Sequence, residues 1–395
     1  MESRYLKVNS YHNWKHAVDV CHTVFRFVVE TQSHTFLTPL ETMGLLISAV
    51  SHDVGHPGLS NSFLIEAKHS LAILHNDHSP LENMHCSTLY EIVGKPEFDV
   101  FSGLDKEDWR TCRKIIISAI LGTDMMHHFQ QVSKIQVFYE MHGQMLQKSI
   151  INGTISADDT PGIKEQSNRM FLIDVFLHAA DISNPVKSFD ICKKWAYMIV
   201  EEFFNQGDME RERGSSISPM MDRDTTNIFT MQVGFIEFVV FPLYEAFVRT
   251  FPTLEVLLRN MVANSRAWSQ SRLEELKHDS RTHYSDRESN EAEIAKLENR
   301  LQHTEQKVEQ IINGVLPIAK KLEESKQQYE DLVKVVTRAS TILKMDSSSP
   351  MRRLTRRLEE EEEEEEDEDD AEEGGNEDAI IDIGNKSMKG NDENV

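Results

Sequence analysis

Along nearly the whole chain apolar residues recur at helical spacing, and nowhere do they alternate convincingly with period two, which limits the fold to helices packed on helices. Ala17 to Val29 sets Val20, Val24 and Phe27 on one stripe. Thr42 to His52 is apolar almost throughout, as a helix buried on most sides must be, and Thr111 to Thr123 and Phe171 to Asp181 repeat that character. Trp195, Ile199 and Phe203 follow steps of four, while Gln232, Phe235 and Val239 follow i, i+3, i+7. Turn residues separate these stretches: Gly55-His56-Pro57-Gly58, Asn184-Pro185, and Gly214 through Pro219. The 395 residues suffice for one large domain or two smaller ones, and the expectation is an all-α multi-helix domain over residues 1–272.

From Ile294 to Leu343 the apolar positions change to alternating steps of three and four. Leu297, Leu301, Val308, Ile311, Val315, Ile318, Leu322, Leu332 and Val336 lie in that register, a heptad pattern that reads as a coiled coil or long helical hairpin over 288–345. Gly314 and Pro317 interrupt it, so either the helix kinks there or the chain doubles back. Residues 346–395 hold 20 acidic and 6 basic side chains, including an unbroken acidic run from Glu359 to Asp370, and read as a disordered acidic tail. Of the formal charge of -24, only about -10 belongs to the 345 residues before it. No basic surface dominates, which argues against nucleic acid as a partner.

The four cysteines form no paired spacing, the N-terminus has no charged-then-apolar signal pattern, and no apolar run approaches 18 residues. The chain therefore reads as cytoplasmic, without a transmembrane segment.

Three short segments carry the chemistry: Tyr11-His12-Asn13-Trp14-Lys15-His16 entering a helix, His52-Asp53-Val54-Gly55-His56-Pro57-Gly58 leaving one, and His178-Ala179-Ala180-Asp181 leaving another. An adjacent His-Asp at a helix end offers a nitrogen and an oxygen ligand to neighbouring metals, and its carboxylate can bridge two ions. His16 and Asp181 complete a four-residue set with His52 and Asp53. Mixed imidazole and carboxylate donors suit Zn²⁺ at one site, and a water-rich carboxylate site suits Mg²⁺ or Mn²⁺ at a second. His12, one helical turn from His16, would be an acid beside the metals rather than on them.

With these segments in place the chain resembles class I 3′,5′-cyclic nucleotide phosphodiesterases, the metal-dependent His-Asp phosphohydrolases. His52-Asp53-x-x-His56-x-Gly58-x-x-Asn61-x-Phe63 fits the family signature. Around it stand Tyr11-His12-Asn13-x-x-His16, Leu81-Glu82-Asn83, Thr123-Asp124-Met125, Asp181-Ile182-Ser183-Asn184-Pro185, Glu201-Glu202-Phe203-Phe204-x-Gln206-Gly207-Asp208, Ser218-Pro219 and Gln232-Val233-Gly234-Phe235-Ile236. The resemblance implies hydrolysis of cAMP, cGMP or both to the 5′-monophosphate by a hydroxide held between two divalent ions. It gives His16, His52, Asp53 and Asp181 as metal ligands, with Asp53 bridging, and His12 as general acid. His56, Glu82, Thr123 and Asp124 would hold metal-bound water and orient the ligands. Gln232 would hydrogen-bond the purine, Phe235 and Ile199 would clamp its faces, and Asn184 and Phe203 would line the same pocket. On spacing alone Ile199 and Phe203 suit a helix interface better than a pocket.

Gly55 stands where the family usually has an acidic or other side chain, and Met84 where a histidine is common. Cys192 takes a place where some cAMP-selective relatives carry a tyrosine that fixes the glutamine amide, which leans the reading towards dual specificity. The family domain normally begins several helices before the Tyr-His-Asn segment, whereas ten residues precede Tyr11 here; the sequence reads as a fragment or as a domain short of a helical layer. The heptad run raises a homodimer, and Arg352-Arg353-Leu354-Thr355 fits a basophilic kinase site.

Overall fold

Thirteen α-helices carry the fold among the residues that this computed structural model describes, 1–151, 162, 165–282 and 287–342. They are α1 (Trp14–Glu30), α2 (Pro39–Ser51), α3 (Asn61–Glu66), α4 (Ser70–Leu74), α5 (Pro80–Val93), α6 (Lys106–Leu121), α7 (His128–Ile151), α8 (Gln166–Asp181), α9 (Phe189–Glu212), α10 (Ile228–Phe235), α11 (Phe241–Thr250), α12 (Glu255–Thr282) and α13 (Arg287–Ile342). No strand occurs among the described residues, so the all-α expectation holds. The chain divides into two units, Met1–Gln327 and Gln328–Val395. All side-chain contacts below lie in the first. The acidic run and Thr355 fall outside the described residues.

Local chemistry explains where the helices that matter begin and end. Asn13 caps α1 by accepting from the Lys15 amide at 2.9 Å. Thr38 and Glu41 close a reciprocal capping box on α2, with Pro39 at the first helical position, where a missing N–H costs nothing. The long apolar stretches of α2 and α8 follow from their position: Leu45, Ala49, Leu172, Ile173, Val175, Phe176 and Leu177 have almost no exposure and belong to the main core. Around them Phe27, Phe36, Phe176, Phe247 and Phe251 form an aromatic group with ring centres 5.2 to 6.4 Å apart, mostly edge to face. Each such ring contributes about 1.5–3 kcal/mol of burial. Tyr244 of α11 donates its hydroxyl to the Ala179 carbonyl at 2.6 Å, satisfying one of the free carbonyls that end α8 just before Asp181.

As far as Leu322 the heptad run packs onto this core. Helix α13 passes Gly314 and Pro317 unbroken, so the chain does not double back there. Ion pairs Arg272–Glu293 and Arg266–Glu305 set it antiparallel to α12. Its heptad residues Leu297, Val308, Ile311, Val315 and Leu322 are buried in the main core.

One stretch bears on the expectation of no transmembrane segment. The stretch Ile228–Thr250 is long and apolar enough to cross a membrane by length and composition. A π-helical turn, Ile236–Val240, joins α10 to α11 within it, and over half of the stretch is buried inside the protein, where Leu243, Tyr244 and Phe247 belong to the core. It reads as the core helix that its packing makes it. The sequence reading overlooked it because Glu237 and Glu245 break the apolar run.

Candidate active site

Two helix ends and one helix start supply the centre of the site. His52 caps the C-terminus of α2 and Asp181 ends α8, so both sit where exposed carbonyls favour a nearby cation; His16 lies in the first turn of α1. The nitrogen and oxygen atoms of His16, His52, Asp53 and Asp181 all lie within 4.8 Å of one another. His16 Nε2 is 3.0 Å from Asp181 Oδ1 and 3.4 Å from Asp53 Oδ2, and His52 Nε2 is 3.2 and 3.1 Å from the same two atoms. His52 Nδ1 donates to the Ala49 carbonyl at 2.9 Å, which orients the ring with Nε2 towards the carboxylates. Asp53 Oδ2 is buried without a hydrogen-bonding partner. Two imidazole nitrogens and two carboxylate oxygens converging in this way fit a divalent cation.

The electrostatics are those of a strongly coupled set. Burial would lower the His52 pKa, but Asp53 and Asp181 hold it well above its ordinary value. Burial would raise both carboxylates, yet His52 and His16 keep Asp53 and Asp181 well below the usual range.

A second group, Asp53, His56 and His85, also gathers its ligand atoms within 4.8 Å. His85 Nδ1 donates to the Val54 carbonyl at 2.9 Å, and burial pushes its pKa down to about 4. His56 is held well below its normal value, by burial and by the charge of His12. Both rings are therefore neutral near pH 7. Beside them Glu82 accepts from Asn61 Nδ2, and burial together with Asp124 raises it to about 7. Asp124 takes a hydrogen bond from Ser79 at 2.7 Å and caps the turn at Met126. Thr123 turns its hydroxyl back onto the Ile120 carbonyl at 2.8 Å rather than into the cluster.

His12 stands just before α1, next to the cap residue Asn13. What holds it is Glu202 on α9. That carboxylate accepts from the backbone amides of Tyr11 and His12 at 2.9 and 3.1 Å and from His12 Nδ1. Burial lowers the His12 pKa, but Asp53 and Glu202 outweigh it, so the ring keeps its proton above its ordinary value. The ring stacks on His56 at 4.0 Å. Asn9 bridges the two segments by donating to the carbonyls of His12 and His56 at 2.9 and 2.7 Å. Gly58, at φ +76°, is required there: a Cβ would meet Asn9 Oδ1 at 2.9 Å.

The sequence reading quoted Glu202 within a family segment and noted His85 as kept, but gave neither a role, and it did not name Asn9. A signal for Glu202 was present, since it shares a helical face with Trp195 and Gln206, and a carboxylate on a buried face needs a partner. The two departures from the family pattern turn out to touch: a Cβ on Gly55, at φ +82°, would lie 3.2 Å from Met84 Sδ.

Of the nucleotide candidates, Gln232 is buried and Asn184, Ile199, Phe203 and Phe235 are half-buried. Phe235 packs against the core, whereas Ile199 and Phe203 lie outside the core clusters. Asn184 donates to the Tyr11 hydroxyl at 2.5 Å and leaves its Oδ1 buried and unpaired. Tyr11 in turn packs on His16, ring centres 4.5 Å apart.

Residues 11–261 match the family described as 3′5′-cyclic nucleotide phosphodiesterase. The chain belongs to that family. A Drosophila melanogaster relative, 3′,5′-cyclic-AMP phosphodiesterase isoform F, is 36% identical over 245 residues, 62% of this chain and 35% of the relative. The chain thus spans about a third or less of the length of the curated relatives it matches. Among solved structures, the phosphodiesterase domain of the RhoPDE fusion protein from the choanoflagellate Salpingoeca rosetta aligns with TM-score 0.60 and 34% identity, over 68% of this chain and 79% of that one. The structure of LmjPDEB1 in complex with IBMX aligns with TM-score 0.60 and 30% identity, over 68% and 76%.

Proposed function

We propose that this protein hydrolyses 3′,5′-cyclic nucleotides to 5′-nucleoside monophosphates, ending a cyclic nucleotide signal. Family membership supports the reaction class, and the observation that carries the site assignment is the convergence of His16, His52, Asp53 and Asp181 within 4.8 Å. These four residues would hold one divalent ion, zinc by the softness of its imidazole donors, and Asp53 would reach a second, Mg²⁺ or Mn²⁺. When bound, such a pair supplies a hydroxide at neutral pH and charge to balance the phosphoryl oxygens.

The chain's own residues do the rest. His12, kept protonated by Asp53 and Glu202, donates the proton that the departing 3′-oxygen needs. Neutral His56 and His85, with Glu82 and Asp124, accept from and orient water beside Asp53; Thr123 acts only by shaping the turn that presents Asp124. The purine lies between Phe235 and Ile199, with Phe203 at the edge, and Gln232 and the unpaired Asn184 Oδ1 meet its polar rim.

Among the described residues nothing hydrogen-bonds the Gln232 amide. Cys192, where a latching tyrosine stands in some relatives, is buried beside Trp268, and burial pushes its thiol up to about 11. An unlatched amide turns to match adenine or guanine, which supports acceptance of both cAMP and cGMP. The described cysteines are free thiols, which suits a cytoplasmic setting. Leu297, Val308, Ile311, Val315 and Leu322 of the heptad run are buried in the chain's own core, which argues against a homodimer through that part of the run; sedimentation at micromolar concentration tests it.

The deciding experiment assays the purified protein on cAMP and cGMP, with and without chelator, beside a His12→Ala variant. Turnover of both nucleotides, abolished by chelation and restored by Mg²⁺, is the expected result. A folded, metal-loaded protein that hydrolyses neither would overturn the proposal.

A further inference from the structure

The heptad run is the sequence pattern that the proposed reaction leaves unused. In the structure, α13 presents two basic side chains one heptad apart, Arg300 and Lys307, to the continuous helix that carries Gln232 and Phe235. Arg300 Nε donates to Glu237 Oε2 at 2.8 Å, and its guanidinium carbon stands 5.4 Å from the centre of the Phe238 ring. Lys307 Nζ lies 3.2 Å from Glu245 Oε2 and 4.7 Å from the centre of the Phe241 ring. Each base meets one carboxylate and one aromatic face. Glu237 and Phe238 lie within the π-helical turn Ile236–Val240, and Phe241 and Glu245 lie just after it.

That turn begins one residue after Phe235. A π turn shifts the helical register and holds only where its surroundings support it. Both ion pairs are partly exposed, so each is weak alone. Two contacts on one helix, backed by buried Val308, Ile311, Ile312 and Val315, fix an orientation rather than add much stability.

We infer that α13 positions the purine wall: Arg300 and Lys307 set the rotation of helix 228–250 at its π turn, and thereby the direction of the Gln232 amide and the Phe235 ring. They are positioning residues and touch no candidate metal ligand. The inference rests on reading Gln232 and Phe235 as that wall.

The test uses the full chain, with Arg300→Ala and Lys307→Ala combined, read by amide hydrogen exchange and by steady-state kinetics on cAMP. Exchange at amides 232–241 should accelerate about tenfold. KM should rise about three- to tenfold with kcat and metal content nearly unchanged. Exchanging the charges, Arg300→Glu with Glu237→Arg, should recover most of the KM. Unchanged exchange, or a fall in kcat that follows thermal stability and is not rescued, overturns the inference. Phe235→Ala separates the two levels of the argument. If it raises KM while the double alanine variant does not, only the role of α13 fails; if it too leaves KM unchanged, the purine-wall reading has failed and the inference falls with it.

Discussion

The two walls of the candidate site are built on different principles. The metal wall gathers imidazoles and carboxylates from the ends of α1, α2 and α8, where short, mutually charged groups leave little freedom. The candidate purine wall is drawn from the sides of α9 and α10, by half-buried side chains and the buried Gln232. One wall is fixed by its own electrostatics; the other depends on what lies behind it. The contrast predicts that errors in the metal wall act on kcat and metal content, and errors in the purine wall on KM.

The largest effect should come from Asp181→Asn. It removes one of the two carboxylates facing both imidazoles, and kcat should fall at least about 10³-fold with loss of bound metal, measured by turnover and elemental analysis. An active, fully loaded variant would break the comparison at its root. His12→Ala comes next. Loss of a proton donor costs about 10²–10⁴-fold in kcat, but metal content and KM should stay near wild type, because His12 stands beside the ligand set.

Glu202→Gln sharpens the same wall. Glu202 is one of the charges that raise the His12 pKa, so its neutralisation lets His12 lose its proton at lower pH. The alkaline limb of the kcat profile should move to lower pH, with kcat at pH 8 about tenfold down. A limb that stays in place would assign the acid elsewhere. On the other wall, Gln232→Ala should raise KM about tenfold for cAMP and cGMP alike, leaving kcat within about twofold. A loss confined to one nucleotide would show that the amide is latched after all.

How much of this could be read from sequence follows the same division. The four residues that the fold brings together were legible because His-Asp at the end of an apolar helix is chemically conspicuous, and three segments of that kind point away from idle caps. Glu202 was harder, since Glu201 beside it is exposed and only the helical phase separates the two. The heptad run was legible as a helix but not as to its partner: Leu297 and Val308 obey the same spacing whether they face a second chain or this one. By period Ile199 and Phe203 favour a core, and only their place outside the core clusters favours the pocket. His12 was legible as a neighbour of His16 four residues on, but the carboxylate that holds it, Glu202, was not, since it comes from a distant helix.

The smallest effect concerns Asp174, two turns before Asp181 on the same helix. Asp181 faces two imidazoles and is held low. Asp174 faces the Ser118 hydroxyl at 3.1 Å, with Oδ1 buried and unpaired, and burial raises it to about 7. A raised carboxylate pKa means that the folded state binds more protons than the unfolded one. Its ionisation therefore costs stability increasingly from about pH 4 to pH 7, and fully above that. Asparagine keeps the shape without the charge. Asp174→Asn should raise stability at pH 8 by about 1 kcal/mol, hence Tm by about 2–4 °C, with a smaller gain at pH 5. Its kcat should be unchanged, in contrast to Asp181→Asn. A drop in kcat with the same gain in Tm would mean that a charge two turns away still tunes the metal wall, and the line drawn between the two carboxylates would have to move.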